Sequence, residues 1–341
     1  MMFLVTDTDC HGAMLMPYSW LEYKHWLHLP NGEWTFDYVG TKSWMQCMAG
    51  GQIPKEIICH DQYTCDGNVR SPGVNCFWFT NNTFRTEMPT MLDPKLRTYA
   101  NAPNQDKIML HPWLAPGTAP VFSPCGAAGG NYFGCEGGEC SHHRGGYGHG
   151  PKAVDVDFKH KFHVTEWARG SVVEVIWGIF ANHGGGCSYR LCKLPEEGYS
   201  HLTEECFQET PLDFVGDTQW VQYGEDEKSR VAIPATRTKE GTYPEGSHWT
   251  KNPIPACNGG YGGFLNPTRE CPKGTQFKPP KPDLYGFGVN TAFNITHFPF
   301  SIVDLVRIPV GLPAGKFVLS FRWDVEQSSQ VWNTCADINL V

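Results

Sequence analysis

In the stretch KFVLSFRWDV (316–325), Phe317, Leu319, Phe321, Trp323 and Val325 take every second position, with Ser320, Arg322 and Asp324 between them. A period of two puts the apolar set on one face of an extended chain, so the stretch predicts a half-buried antiparallel strand. Upstream, SVVEVIWGIFANH (171–183) is apolar at both parities and rich in β-branched residues, which predicts a central strand covered on both sides. Downstream, the polar EQSSQ (326–330) leads into QVWNTCADINLV (330–341), a further strand. Few windows carry the 3.6-residue period of a helix. Together these segments predict an all-β fold, an antiparallel immunoglobulin-like or fibronectin-like β-sandwich with long disulfide-tied loops.

The 14 cysteines, scattered among 37 Gly and 26 Pro, support the loops and point to an oxidising, extracellular compartment. Each bridge is expected to contribute about 2–4 kcal/mol. The sequons Asn81-Asn82-Thr83 and Asn294-Ile295-Thr296 agree with secretion. No apolar run is long enough for a membrane helix. A formal net charge of −8 argues against nucleic acid, which needs a basic footprint, and suits a neutral partner such as a carbohydrate.

The opening residues raise a separate question. Met1–Val5 is shorter than a signal-peptide core of about 7–15 residues, and Asp7 and Asp9 follow at once. Residues 1–10 therefore read as a leader remnant or a gene-model artefact. Residues 11–341 read as a single catalytic β-sandwich domain with a large loop insertion around 195–290. Loss of Cys10 with the leader leaves 14 − 1 = 13 cysteines, an odd number, so one is expected to be free or paired to another chain.

Three motifs carry a resemblance. HGAMLMP (11–17) resembles the mature start of the lytic polysaccharide monooxygenases, secreted copper enzymes that cleave chitin, cellulose and related glycans oxidatively. ANHGGGCSYRLC (181–192) has an Ala-x-His spacing like that of the chitin- and cellulose-active branches, and Ala181 shares a strand face with His183. QVWNTCADINL (330–340) resembles the closing strand of several branches, with a Gln, an aromatic two residues on and a Cys three further.

The resemblance implies one copper ion held by the α-amine and imidazole of His11 and the imidazole of His183, a nitrogen set that suits copper. It gives Ala181 the vacant side of the metal, Gln330 a hydrogen-bonding role beside it, and Trp332 the axial position. An indole at 332 departs from the Tyr or Phe usual there. The implied reaction uses an external electron donor and hydrogen peroxide or dioxygen, and removes hydrogen from C1 or C4 of a glycosidic bond. Trp323 and Trp177 are candidates to lead oxidising holes away from the metal. Tyr18, Trp20, Tyr23 and Trp26, close behind His11, are candidates for stacking on sugar rings, although core packing is an equal reading for them. The expected species is a secreted monomer.

Other clusters are weaker. CEGGECSHH (135–143) offers two Cys and two His at a loose zinc spacing, and disulfides are the better reading in an oxidising compartment. FKHKFH (158–163) reads as a strand edge, with His160 and His163 on different faces. No phosphate-binding loop or G-x-S-x-G elbow occurs. Two alternatives stay open: a non-catalytic carbohydrate- or copper-binding extracellular module, and a structural disulfide-rich protein on the same sandwich.

Overall fold

The computed structural model describes residues 11–20, 26–28, 34–36, 78–80, 116–119, 121, 123–128, 152–155, 163–182, 184–223, 227–257, 271, 274–282, 284–285, 300–326 and 331–341. Among these, two sheets form a sandwich. A six-stranded sheet runs in the order His11–Met16, Val172–Ala181, Ser301–Arg307, Thr218–Gln222, Val231–Pro234, with Asp213–Phe214 also pairing on Ser301–Arg307. An eight-stranded sheet runs Arg237–Thr238, Trp249–Lys251, Gly186–Lys193, Gly315–Asp324, Val331–Leu340, Trp78–Thr80, Ala127–Ala128. Val164–Trp167 lies parallel on Val331–Leu340. A separate hairpin pairs Trp26–His28 with Trp34–Phe36.

The alternation in 316–325 sets the interior. Phe317, Leu319, Phe321, Trp323 and Val325 are all buried in the common core. From the facing sheet come Ile302, Val306 and Trp177, whose ring centroid lies 5.4 Å from those of both Phe321 and Trp323. The sheets are also joined by polar contacts. The Met14 amide donates to Thr334 Oγ1 at 3.1 Å, and Arg237 Nη2 pairs with Asp304 Oδ1 at 3.0 Å.

The polar face of 315–324 differs from the half-buried expectation, because Ser320, Arg322 and Asp324 are buried as well. A chain segment around 116–125 lies over them. Arg322 Nη2 donates to the Gly117 and Ala119 carbonyls at 3.1 and 2.5 Å, Ser320 Oγ donates to the Pro124 carbonyl at 2.7 Å, and Asp324 Oδ2 accepts from the Gly117 amide at 2.9 Å. The Cys125–Cys335 disulfide fastens the same segment to the closing strand. On the other flank stands the helix Glu204–Glu209, capped by Thr203, whose Oγ1 accepts from the Cys206 amide. Glu204 lies in the first turn and bridges Arg190 and Arg322. Burial raises its pKa, but the two guanidiniums outweigh that and hold it below the ordinary glutamate value.

Strands lie among the described residues of the 195–290 region. It supplies Thr218–Gln222 and Val231–Pro234 to one sheet and Arg237–Thr238 and Trp249–Lys251 to the other. Two further disulfides, Cys192–Cys206 and Cys257–Cys271, close short loops within it or at its border. Among the described residues Cys187 is a free, buried thiol. Burial first, then the nearby Asp304 charge, drive its pKa well above the ordinary thiol value. No helix among the described residues is long and apolar enough to cross a membrane.

Candidate functional site

The first strand begins at His11 and pairs antiparallel with Val172–Ala181, His11 standing opposite Ala181. Ala181 ends its strand at that end of the six-stranded sheet, and in the sequence His183 follows two residues later. The side chains of His11 and Ala181, and His183 and Gln330 altogether, lie outside the described residues, as do the stretches 129–151 and 156–162 with their Cys and His clusters.

The surroundings of that end are well defined. Trp323 is fully buried, and its Nε1 donates to the Gly184 carbonyl at 2.9 Å, one residue beyond His183. The same ring lies under the start of the first strand. A Cβ on Gly12 would stand 2.5 Å from Trp323 Cζ3, so only glycine lets the strand approach so closely. Across the eight-stranded sheet Trp323 pairs with Trp332, which is 1% exposed. Thr334, two residues on and on the same face, receives the Met14 amide, which turns that face toward the first strand. His11, Ala181, Trp323 and Trp332 thus come from four strands into one neighbourhood.

Downstream of His183 the chain turns on Gly184 and Gly185, with φ of 70° and 89°, a region that favours glycine. The buried Asn182 and Asn252 side chains are bonded to each other, Asn252 Nδ2 donating to Asn182 Oδ1 at 2.8 Å. Glu326 Oε2 accepts from the Gly185 amide at 3.2 Å and from Gln276 Nε2 at 2.6 Å. Nearby, Lys251 Nζ sits 3.4 Å from the centroid of the Phe277 ring. Burial draws its pKa down to about 8, with the Glu326 charge opposing. None of Asn182, Asn252, Gln276 or Glu326 stood out in the sequence. The glycine pair after ANH was the one local sign that this turn is special.

The aromatic residues expected to bind sugar separate. Trp20 is a core residue: it is 3% exposed and its Nε1 donates to Asp337 Oδ1 at 2.8 Å, so its faces are unavailable for stacking. Tyr18 is half-buried, with an edge contact of 5.0 Å between its ring and that of His163. Tyr23 and the Trp26 side chain lie outside the described residues.

By their chemistry, two imidazoles and a free α-amine are donors that suit copper, and the residues that would supply them are His11, whose backbone pairs with Ala181, and His183. Among the described residues there is no group of three or more His, Cys, Asp or Glu that could hold a metal ion.

No family model matches the chain. Solved structures that match part of the chain include a lytic polysaccharide monooxygenase from Thermobia domestica in its Cu(I) state, at 14% identity over 52% of this chain and 62% of that one, with a TM-score of 0.25. A chitin-binding domain from Burkholderia pseudomallei matches at 11% identity over 52% of this chain and 57% of that one, TM-score 0.25. A lytic polysaccharide monooxygenase from Streptomyces lividans matches at 12% identity over 52% of this chain and 59% of that one, TM-score 0.24. In each case the match spans less than two thirds of the relative's length.

Proposed function

We propose that the chain is a secreted copper-dependent polysaccharide monooxygenase, with chitin or cellulose as substrate, whose metal is held by His11 and His183. The observation that carries the reading is the pairing of His11 with Ala181, which brings the start of the mature strand to within two residues of the second histidine. Removal of residues 1–10 is part of the proposal. It would free the His11 amine, which together with its own imidazole would hold the metal, with loss of the proton that an α-amine carries below about pH 8. Copper bound there supplies one-electron chemistry toward hydrogen peroxide or dioxygen, with electrons from an external donor.

The chain's own residues set the geometry. Trp323 fixes the turn after His183 and packs under Gly12, while Trp332 closes the inner side, with Gln330 before it as a hydrogen-bonding group. Trp177, in ring contact with Trp323, extends an aromatic path away from the metal for oxidising holes. The three disulfides among the described residues agree with an extracellular setting. A non-catalytic carbohydrate-binding role is the second reading, favoured by the bulky, buried indole of Trp332 where the resemblance would have Tyr or Phe.

Mass spectrometry of the soluble fraction separates the two readings. Protein beginning at His11 is loaded with copper and incubated with ascorbate, peroxide and either chitin or cellulose. Release of oxidised oligosaccharides is expected. Adsorption to the polysaccharide with no oxidised product would favour the binding module.

A further inference from the structure

The turn between Ala181 and Gly186 is held by side chains remote in sequence, and they leave it one arrangement. Asn182 Oδ1 accepts from the Gly184 amide at 3.0 Å and from Asn252 Nδ2 at 2.8 Å, while Asn182 Nδ2 donates to the Ile254 carbonyl at 2.8 Å. Asn252 Oδ1 accepts from the Ile254 amide at 3.0 Å, and the Asn252 amide donates to the Gly185 carbonyl at 2.8 Å. Each carboxamide oxygen faces donors. The Asn182 nitrogen faces a carbonyl, so flipping that amide would set acceptor against acceptor there and donor against donor at the Gly184 amide. Glu326 takes the Gly185 amide, and Gln276, bonded to Glu326, closes back on residue 256: its Oε1 accepts from the Ala256 amide at 3.1 Å and its own amide donates to the Ala256 carbonyl at 3.0 Å. Gly184 has no room for a Cβ, which would stand 2.5 and 2.6 Å from Gln276 Oε1 and Glu326 Oε2.

These bonds fall on residues 182, 184 and 185, the residues that flank position 183. Buried polar groups joined by several bonds are costly to disturb singly, which holds residues 182, 184 and 185 in place before any ligand arrives. A ligand-bearing backbone already in its final place loses little further freedom when a metal binds, and the gain appears as affinity.

We propose that the buried Asn182–Asn252 pair is a positioning device for His183, by which the segment 252–276 governs how tightly and in what geometry a metal ion is held. The proposal rests on the copper reading above. Asn252→Ala removes the pair, and Asn252→Asp keeps its shape but sets an oxygen against Asn182 Oδ1. Ile233→Ala, a buried core position on Val231–Pro234 at the edge of the six-stranded sheet opposite His11–Met16, serves as a control for general destabilisation.

Copper affinity of protein beginning at His11 is measured by calorimetry, and the Cu(II) EPR spectrum recorded for each variant. The expected result is an affinity about 10–100-fold weaker with altered hyperfine coupling in both Asn252 variants, and wild-type values in Ile233→Ala. Hydrogen exchange on the copper-free protein is expected to show faster exchange at the Gly184 and Gly185 amides in the Asn252 variants alone. Wild-type exchange at those amides in a folded Asn252 variant overturns the positioning claim whether or not copper binds. Wild-type affinity and spectrum, or an equal loss in Ile233→Ala, also overturn it. Failure of the wild-type protein to bind copper would instead defeat the copper reading, and exchange would still decide whether the pair fixes the turn.

Discussion

Trp323 Nε1 donates to the Gly184 carbonyl at 2.9 Å while the far side of its ring occupies the space a Cβ on Gly12 would need. One buried indole therefore holds both chain segments of the candidate site, the strand that starts at His11 and the turn that follows His183. The two segments are far apart in sequence and share no disulfide among the described bridges.

Gly12→Ala tests that relationship. The added methyl meets Trp323 Cζ3 at 2.5 Å, Cε3 at 2.8 Å and the Gly178 carbonyl at 3.1 Å, and both neighbours are packed ring or backbone. Overpacking of this kind costs about 1–3 kcal/mol, read as a lower midpoint in urea unfolding. Copper affinity is expected to weaken with it, since the first strand must move off the indole. Unchanged stability and affinity would show that the strand adapts freely.

Glu204→Gln probes the polar network on the outer face of the eight-stranded sheet. The substitution keeps the shape but removes the charge shared by Arg190 and Arg322, both fully buried. A buried cation left without its partner costs about 3–5 kcal/mol, so chemical denaturation is expected to shift by that amount. The site should be spared, because the network faces away from it.

Asp304 lies between the sheets, bonded to Gln219 Nε2 at 2.9 Å and paired with Arg237. Burial pushes its pKa up to about 6 despite Arg237. The folded state thus holds this proton more tightly than the unfolded chain, and stability from this group is full below the ordinary carboxylate value and lost as pH rises through about 6. The change amounts to something on the order of 3 kcal/mol. Thermal unfolding followed from pH 4 to pH 8 is expected to show that decline in the wild type and a flatter profile in Asp304→Asn.

Legibility followed locality. The period of two in 316–325 identified both the strand and its core face, because alternation is a property of neighbouring residues. The fate of Ser320, Arg322 and Asp324 was not readable, since what buries them comes from residues 116–125 and 204. Trp20 offered the same difficulty: its partner Asp337 lies across the whole chain, and an aromatic near His11 reads equally as surface or core. Short strands such as Trp249–Lys251 vanish in a Pro- and Gly-rich background, which is why 195–290 looked like loops. The pairing of His11 with Ala181 joins two segments the sequence had singled out, but Asn252 and Glu326 carry no local mark at all.

The most direct measurement is the EPR spectrum of protein beginning at His11, loaded with one equivalent of Cu(II), beside His183→Ala and beside protein that retains residues 1–10. The account predicts a single axial signal with coupling to three nitrogens in the first sample, reduced nitrogen coupling in His183→Ala, and loss of that signal when His11 lacks a free amine. The same spectrum in all three would contradict a metal site built from His11 and His183.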